Sequence, residues 1–299
     1  MKPVSCQSFH RLNRRPGGFS LLFLVIALTL LCARTGAAAS STRSNSESDP
    51  DWLARHEPYL TEGPTGLYRF PVTETSPLST LKVLTERLKI DIDDTDGAGA
   101  GYDPLKLPFH AYVPDGHEPG KPAALLVWIS PVQSALPPVD YIPVLQNENC
   151  LWIGASNLGN DAPTPLRFFS AIDAAIAMQK AWDIPADRVF VAGMSGGGRL
   201  ASALAILYPE VFGGGGYFII GANPQPEVDE ALLEQARSHR FLFLTGSKDY
   251  NRTQMRDAYK EYMRKGFADC RFFSIRGMAH AYPSAEHFAE GLRWLLREE

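Results

Sequence analysis

Three side chains that can together activate a hydroxyl occur in this chain in the order Ser, Asp, His. Ser195 lies in Gly193-Met194-Ser195-Gly196-Gly197, Asp249 in Thr245-Gly246-Ser247-Lys248-Asp249, and His280 in Gly277-Met278-Ala279-His280. A serine hydroxyl is a poor nucleophile at its own pKa. It attacks an acyl carbon when a histidine removes its proton, and the same histidine then protonates the leaving group. A carboxylate on the far ring nitrogen fixes the histidine tautomer and stabilises its charged form. The oxyanion formed on attack needs two N–H donors. Gly196, directly after the serine, supplies one. The second is assigned to Val132, with the Gln133 side chain as the alternative, because Pro131 in the same turn has no N–H. Taken singly, each residue has a plainer reading: a Gly-rich turn with an idle Ser, an Asp that caps a helix near Arg252, a loop His.

The elements around these residues decide between the readings. Residues 189–192 are an unbroken apolar run, as in a buried strand, and 199–208 read as a helix. Strand, tight turn and helix around G-x-S-x-G form a nucleophile elbow, in which the residues two before and two after the serine must be small. Asp249 follows a predicted strand at 241–244 and His280 one at 271–275. Further strands are expected at 67–72, 105–113, 123–129, 151–155 and 217–220. Helices are expected at 140–149, 166–182, 230–239, 254–265 and 287–297, while 78–92 carries mixed signals. Strands alternating with helices make a mostly parallel sheet covered on both faces, the α/β class. In such sheets functional side chains gather past the carboxyl ends of the strands. After strand 217–220 no carboxylate comes before Glu227 and Asp229, so Asp249 is the expected orienting acid.

The 299-residue chain is 45% hydrophobic and 21% charged, ordinary for a globular protein. Its first 39 residues read as a secretory signal peptide. They carry Lys2, Arg11, Arg14, Arg15 and Arg34 without an acid, an apolar stretch at 19–32 and an A-x-A site at Ala37-Ala38-Ala39. Residues 40–60 read as a disordered linker and 61–299 as one domain. Beyond the leader, 24 basic residues face 33 acidic ones, which argues against a nucleic-acid partner. A short apolar stretch that is removed leaves no stable membrane span, and the protein is expected to be secreted or periplasmic.

The runs 188–198, 208–213 and 221–223, with the Asp249 and His280 segments, resemble extracellular polyhydroxybutyrate-depolymerase-like and feruloyl-esterase-like hydrolases, over roughly residues 121–299. The resemblance implies an α/β-hydrolase fold, a Ser-His-Asp triad and ester cleavage, with a small-molecule or polymeric ester as substrate and no cofactor. Two departures bear on the substrate. The turn Ser130-Pro131-Val132 stands where lipases often have His-Gly-Gly, and the cysteine pattern of many secreted depolymerases is absent. The alternatives are a peptidase with the same chemistry and a non-catalytic binding protein on the same fold.

Other motifs carry less. Asp94, Asp96 and Gly97 have alternate-ligand spacing, but Ile92 stands at the first ligand position of a calcium loop. No Cys/His cluster has zinc spacing, and no metal is expected. Gly213 to Gly216 lacks the Lys-Ser/Thr of a phosphate loop. Asn157, Asn160 and Asp161 read first as turn formers and second as lining a pocket mouth. Cys150 and Cys270 fall on strands expected on opposite sides of the nucleophile strand, too far apart to pair.

Overall fold

The computed structural model describes residues 55–90 and 101–297 of the chain. The leader, most of the linker and the Asp94–Asp96 loop lie outside the described residues. Among the described residues eight strands form one sheet: β1 (Gly66–Arg69), β2 (Phe109–Val113), β3 (Ala124–Ile129), β4 (Cys150–Ala155), β5 (Val189–Met194), β6 (Gly215–Ile219), β7 (Arg240–Gly246) and β8 (Cys270–Ile275). Their order is β1-β2-β4-β3-β5-β6-β7-β8. β1 pairs antiparallel with β2, and β2 antiparallel with β4; every other pairing is parallel. This is the α/β-hydrolase arrangement. The helices are α1 (Leu81–Leu88), α2 (Ile142–Asn147), α3 (Thr164–Trp182), α4 (Gly196–Leu207), α5 (Glu230–Arg237), α6 (Arg252–Arg264) and α7 (Ala285–Leu296).

The central strands are apolar at nearly every position because both their faces are covered. On β3, Leu125, Val127 and Ile129 point into the core beneath α3 and α4, while Ala124, Leu126 and Trp128 point into the core beneath α2 and α7. The pleat repeats this division on β7, with Phe241 and Phe243 on one side and Leu242 and Leu244 on the other. The second core is rich in rings. Trp128 stacks on Trp152 at 4.7 Å, and Tyr141 on Phe288 at 3.9 Å. The indole N–H of Trp152 donates to the Ala135 carbonyl at 2.9 Å, so this buried polar group keeps a partner.

Several local differences from the expected elements have physical causes. The 78–92 segment forms α1, with the Thr80 side chain accepting from Val83 N–H at its start and Lys89 left-handed at its end. β2 begins at Phe109 rather than 105, since residues 104–106 make one helical turn behind the Asp103 cap. The linker was expected to run to residue 60, yet the domain begins before that. His56 is buried with Nε2 3.0 Å from the Pro137 carbonyl, and Leu60 bridges to Leu67. Cys150 and Cys270 are unpaired. Four strands separate β4 from β8, a span of about 24 Å at strand spacing, against the roughly 7 Å that a disulfide allows.

The strand order positions the site. The chain passes from β3 outward to β4 and returns across β3 to β5, so connections leave β3 and β5 in opposite directions. The crevice above their carboxyl ends is the switch point of the sheet. The turn after β3 and the elbow after β5 both open there.

Candidate active site

β5 ends at Met194, and α4 begins at Gly196. Ser195, between them, has φ 53° and ψ −118°. This is a left-handed conformation for a residue with a side chain, and such strain costs about 1–3 kcal/mol. Two backbone bonds hold it: Ser195 N–H donates to the Ile219 carbonyl at 2.8 Å, and Arg199 N–H to the Ser195 carbonyl at 3.1 Å. The close crossing explains the flanking glycines. A Cβ on Gly193 would lie 2.5 Å from the Gly197 carbonyl carbon, and one on Gly197 would lie 2.8 Å from the Ile129 carbonyl carbon. A serine at a helix N-cap usually bonds the first turn, but Ser195 makes no such bond. Its hydroxyl is directed elsewhere.

That direction is His280. The imidazole Nε2 lies 2.9 Å from Ser195 Oγ, and Nδ1 lies 2.8 Å from Asp249 Oδ1. The structure therefore brings together Ser195, His280 and Asp249 from the ends of β5, β8 and β7. The Asp249 carboxylate is fully buried and satisfied at both oxygens. Oδ1 also accepts from Asn251 N–H at 3.0 Å, and Oδ2 accepts from the Thr245 hydroxyl at 2.7 Å. The loops carrying Asp249 and His280 are fastened to each other. Ser247 N–H donates to the Ile275 carbonyl at 2.8 Å, Lys248 N–H to the Met278 carbonyl at 3.0 Å, and Gly277 N–H to Ser247 Oγ at 2.8 Å.

Some supporting residues were not anticipated from sequence. Tyr250 stacks on His280 with ring centroids 4.1 Å apart and stays 75% exposed, so it covers one face of the imidazole from the solvent side. Asn251 ties three elements together. Its Nδ2 donates to the Ile220 carbonyl at 2.8 Å, and its Oδ1 accepts from Arg199 Nη2 at 3.0 Å. Adjacency to Asp249 was the only signal for either residue.

The turn after β3 is braced from within. Ser130 Oγ accepts from Val132 N–H at 3.2 Å and donates to the Ser134 carbonyl at 2.6 Å. The Ser130 carbonyl accepts from Arg167 Nη2 at 2.7 Å. Burial pushes this guanidinium down to about 10. The loop after β4 runs beside the turn: Asn157 N–H donates to the Gln133 carbonyl at 2.6 Å and Asn160 N–H to the Pro131 carbonyl at 3.0 Å. Asn157 is a turn former, with φ 66°. Gly196 is the first residue of α4, and its N–H belongs to the set that no carbonyl of the helix itself can take. Among the described residues no group of three or more His, Cys, Asp or Glu is arranged to hold a metal ion.

No family model matches the chain. Over 125 residues it is 27% identical to a probable carboxylesterase of Oryza sativa subsp. japonica, covering 42% of this chain and 47% of that protein. The match thus spans less than half of the curated relative's length. Among solved structures, a thermostable esterase overlays with a TM-score of 0.47 at 14% identity, covering 63% of this chain and 58% of the other. Acyl-protein thioesterase 2 of Zea mays overlays with a TM-score of 0.44 at 16% identity, covering 63% of this chain and 99% of the other.

Proposed function

We propose that this protein is a serine hydrolase that cleaves carboxylic esters through an acyl-enzyme intermediate. The observation that carries the reading is the unbroken hydrogen-bonded chain from Ser195 Oγ through His280 to the buried Asp249 carboxylate. His280 Nε2 takes the hydroxyl proton as Ser195 Oγ bonds to the acyl carbon. The carbonyl π electrons move onto oxygen, where the Gly196 N–H and a second donor, read from sequence as Val132 N–H, receive the charge. As the tetrahedral intermediate collapses, His280 gives its proton to the departing alkoxide. Water then repeats the sequence on the acyl-serine and releases the acid. Asp249 holds the Nδ1–H tautomer, leaving the Nε2 lone pair facing the serine.

The similarity to a probable carboxylesterase supports an ester over an amide. Ser195 and His280 are partly exposed, which suits short acyl chains or an ester within a polymer. Secretion belongs to the same proposal. Among the described residues no helix is long and apolar enough to cross a membrane. Mass spectrometry of exported protein should find an N-terminus near Ser40.

Hydrolysis of p-nitrophenyl acetate and butyrate, beside Ser195→Ala and a peptide anilide, tests the activity. Ester cleavage that disappears in Ser195→Ala, with the anilide untouched, is expected. Ester cleavage that persists in Ser195→Ala overturns the reading, and preferential anilide cleavage reassigns the substrate to peptides.

A further inference from the structure

We infer that the side-chain amide of Asn160 is a catalytic group, donating Nδ2–H to the oxyanion beside the Gly196 N–H. This rests on the serine-hydrolase reading above and names the second donor that the reaction needs. The backbone does not offer that donor readily. Pro131 has no N–H, and the Val132 N–H is already given to Ser130 Oγ at 3.2 Å. Arg167 and Ser134 hold Ser130 in turn, so releasing Val132 would disturb a braced turn.

Asn160 is differently placed. Its backbone N–H is fixed to the Pro131 carbonyl at 3.0 Å, which anchors the residue on the crevice wall. Its side chain is exposed, and among the described residues no hydrogen bond occupies the amide. The amide lies against Gly196: a Cβ built there would meet Asn160 Oδ1 first, with Cγ at 2.8 Å and Nδ2 at 2.9 Å. The close backbone crossing explains Gly193 and Gly197, but at Gly196 it is the Asn160 amide that fills the side-chain position. The group therefore stands next to the residue that carries the first donor and directly follows the nucleophile. Because neither end of the amide is bonded to a described residue, a half-turn about its last torsion exchanges Oδ1 and Nδ2 at little cost and brings the N–H end forward. A developing negative oxygen selects the N–H end.

The test compares wild type, Asn160→Ala, Asn160→Asp and Ser195→Ala on p-nitrophenyl butyrate. Inhibition by a trifluoromethyl ketone, whose serine adduct carries the oxyanion, and thermal melts are measured alongside. Asn160→Ala is expected to lower kcat by about 10²–10³-fold, the usual cost of one oxyanion donor, with KM changed by less than about threefold. Its Ki for the ketone should weaken in the same proportion, with melting unchanged. Asn160→Asp keeps the shape and places a carboxylate beside the oxyanion, so its loss should be at least as large. An active wild type, silenced by Ser195→Ala but with kcat in Asn160→Ala within about threefold of normal, overturns this inference alone. A fall in kcat that leaves the ketone Ki unmoved also overturns it. Absence of ester cleavage by the wild type overturns the hydrolase reading and this inference together.

Discussion

Replacing Asp249 by Asn probes what the buried carboxylate contributes. In the native site all three neighbours donate to it: His280 Nδ1 at 2.8 Å and Asn251 N–H at 3.0 Å to Oδ1, and the Thr245 hydroxyl at 2.7 Å to Oδ2. An asparagine has one acceptor oxygen and one NH₂. With the amide oxygen in the Oδ1 position, His280 and Asn251 keep their acceptor, and the NH₂ meets a hydroxyl that can rotate and accept. With the NH₂ there instead, it faces the Asn251 peptide N–H, which cannot reverse. A buried donor then loses its acceptor, costing about 1–3 kcal/mol. The first orientation wins, so His280 keeps the tautomer that presents a lone pair to Ser195. What is lost is the negative charge beside the imidazolium of the transition state. Unit charges about 4 Å apart interact by about 4 kcal/mol at an effective dielectric near 20, which bounds the effect. Asp249→Asn should therefore lower kcat by about two to three orders of magnitude, with KM nearly unchanged. Asp249→Ala removes the acceptor as well and should lose about another tenfold. Steady-state hydrolysis of p-nitrophenyl butyrate, with ¹⁵N NMR of the His280 ring to read the tautomer, measures both parts. A kcat within tenfold of wild type would refute Asp249 as the orienting acid. A reversed tautomer would refute the hydrogen-bond reasoning. Glu227→Gln and Asp229→Asn are controls expected to stay within about tenfold; Asp229 is bridged to Lys89 at 2.8 Å.

Gly197→Ala places a methyl group 2.8 Å from the Ile129 carbonyl carbon. It should cost about 1–3 kcal/mol in urea denaturation as well as activity; an unchanged midpoint would mean that the elbow yields. His110 and His239 are buried, and desolvation pushes both down to about 4. The unfolded chain, with imidazoles near about 6.5, binds more protons between these values, so stability is full above that window and falls as pH drops through it toward 4. Urea midpoints between pH 4 and 7 should show this slope, and His239→Gln should flatten it. Burial pushes the thiols of Cys150 and Cys270 up to about 12. Neither should react with Ellman's reagent in the native state at pH 8, whereas denatured, unreduced protein lacking the leader should titrate two thiols.

Apolar runs, G-x-S-x-G and the order Ser, Asp, His were enough to establish the α/β layering and to identify the three side chains of the hydrogen-bonded chain. Each is a local property: a strand buried on both faces is apolar throughout, and a tight elbow tolerates only glycine where backbones cross. Asp249 was selected from sequence because the next candidates, Glu227 and Asp229, lie well beyond their strand. What the chain could not disclose locally was decided by packing between distant segments. Tyr250 over His280, Asn251 spanning to Ile220 and Arg199, and Arg167 on the Ser130 carbonyl join residues of ordinary type whose partners lie up to 52 positions away, and nothing in a Tyr or Asn marks which ring or carbonyl it will meet. The surroundings of the oxyanion are the sharpest instance. From sequence, Val132 was the donor because Pro131 has no N–H and Val132 follows it. Only the fold commits that N–H to Ser130 and lays the Asn160 amide over Gly196, because β4 returns its loop alongside the turn that leaves β3.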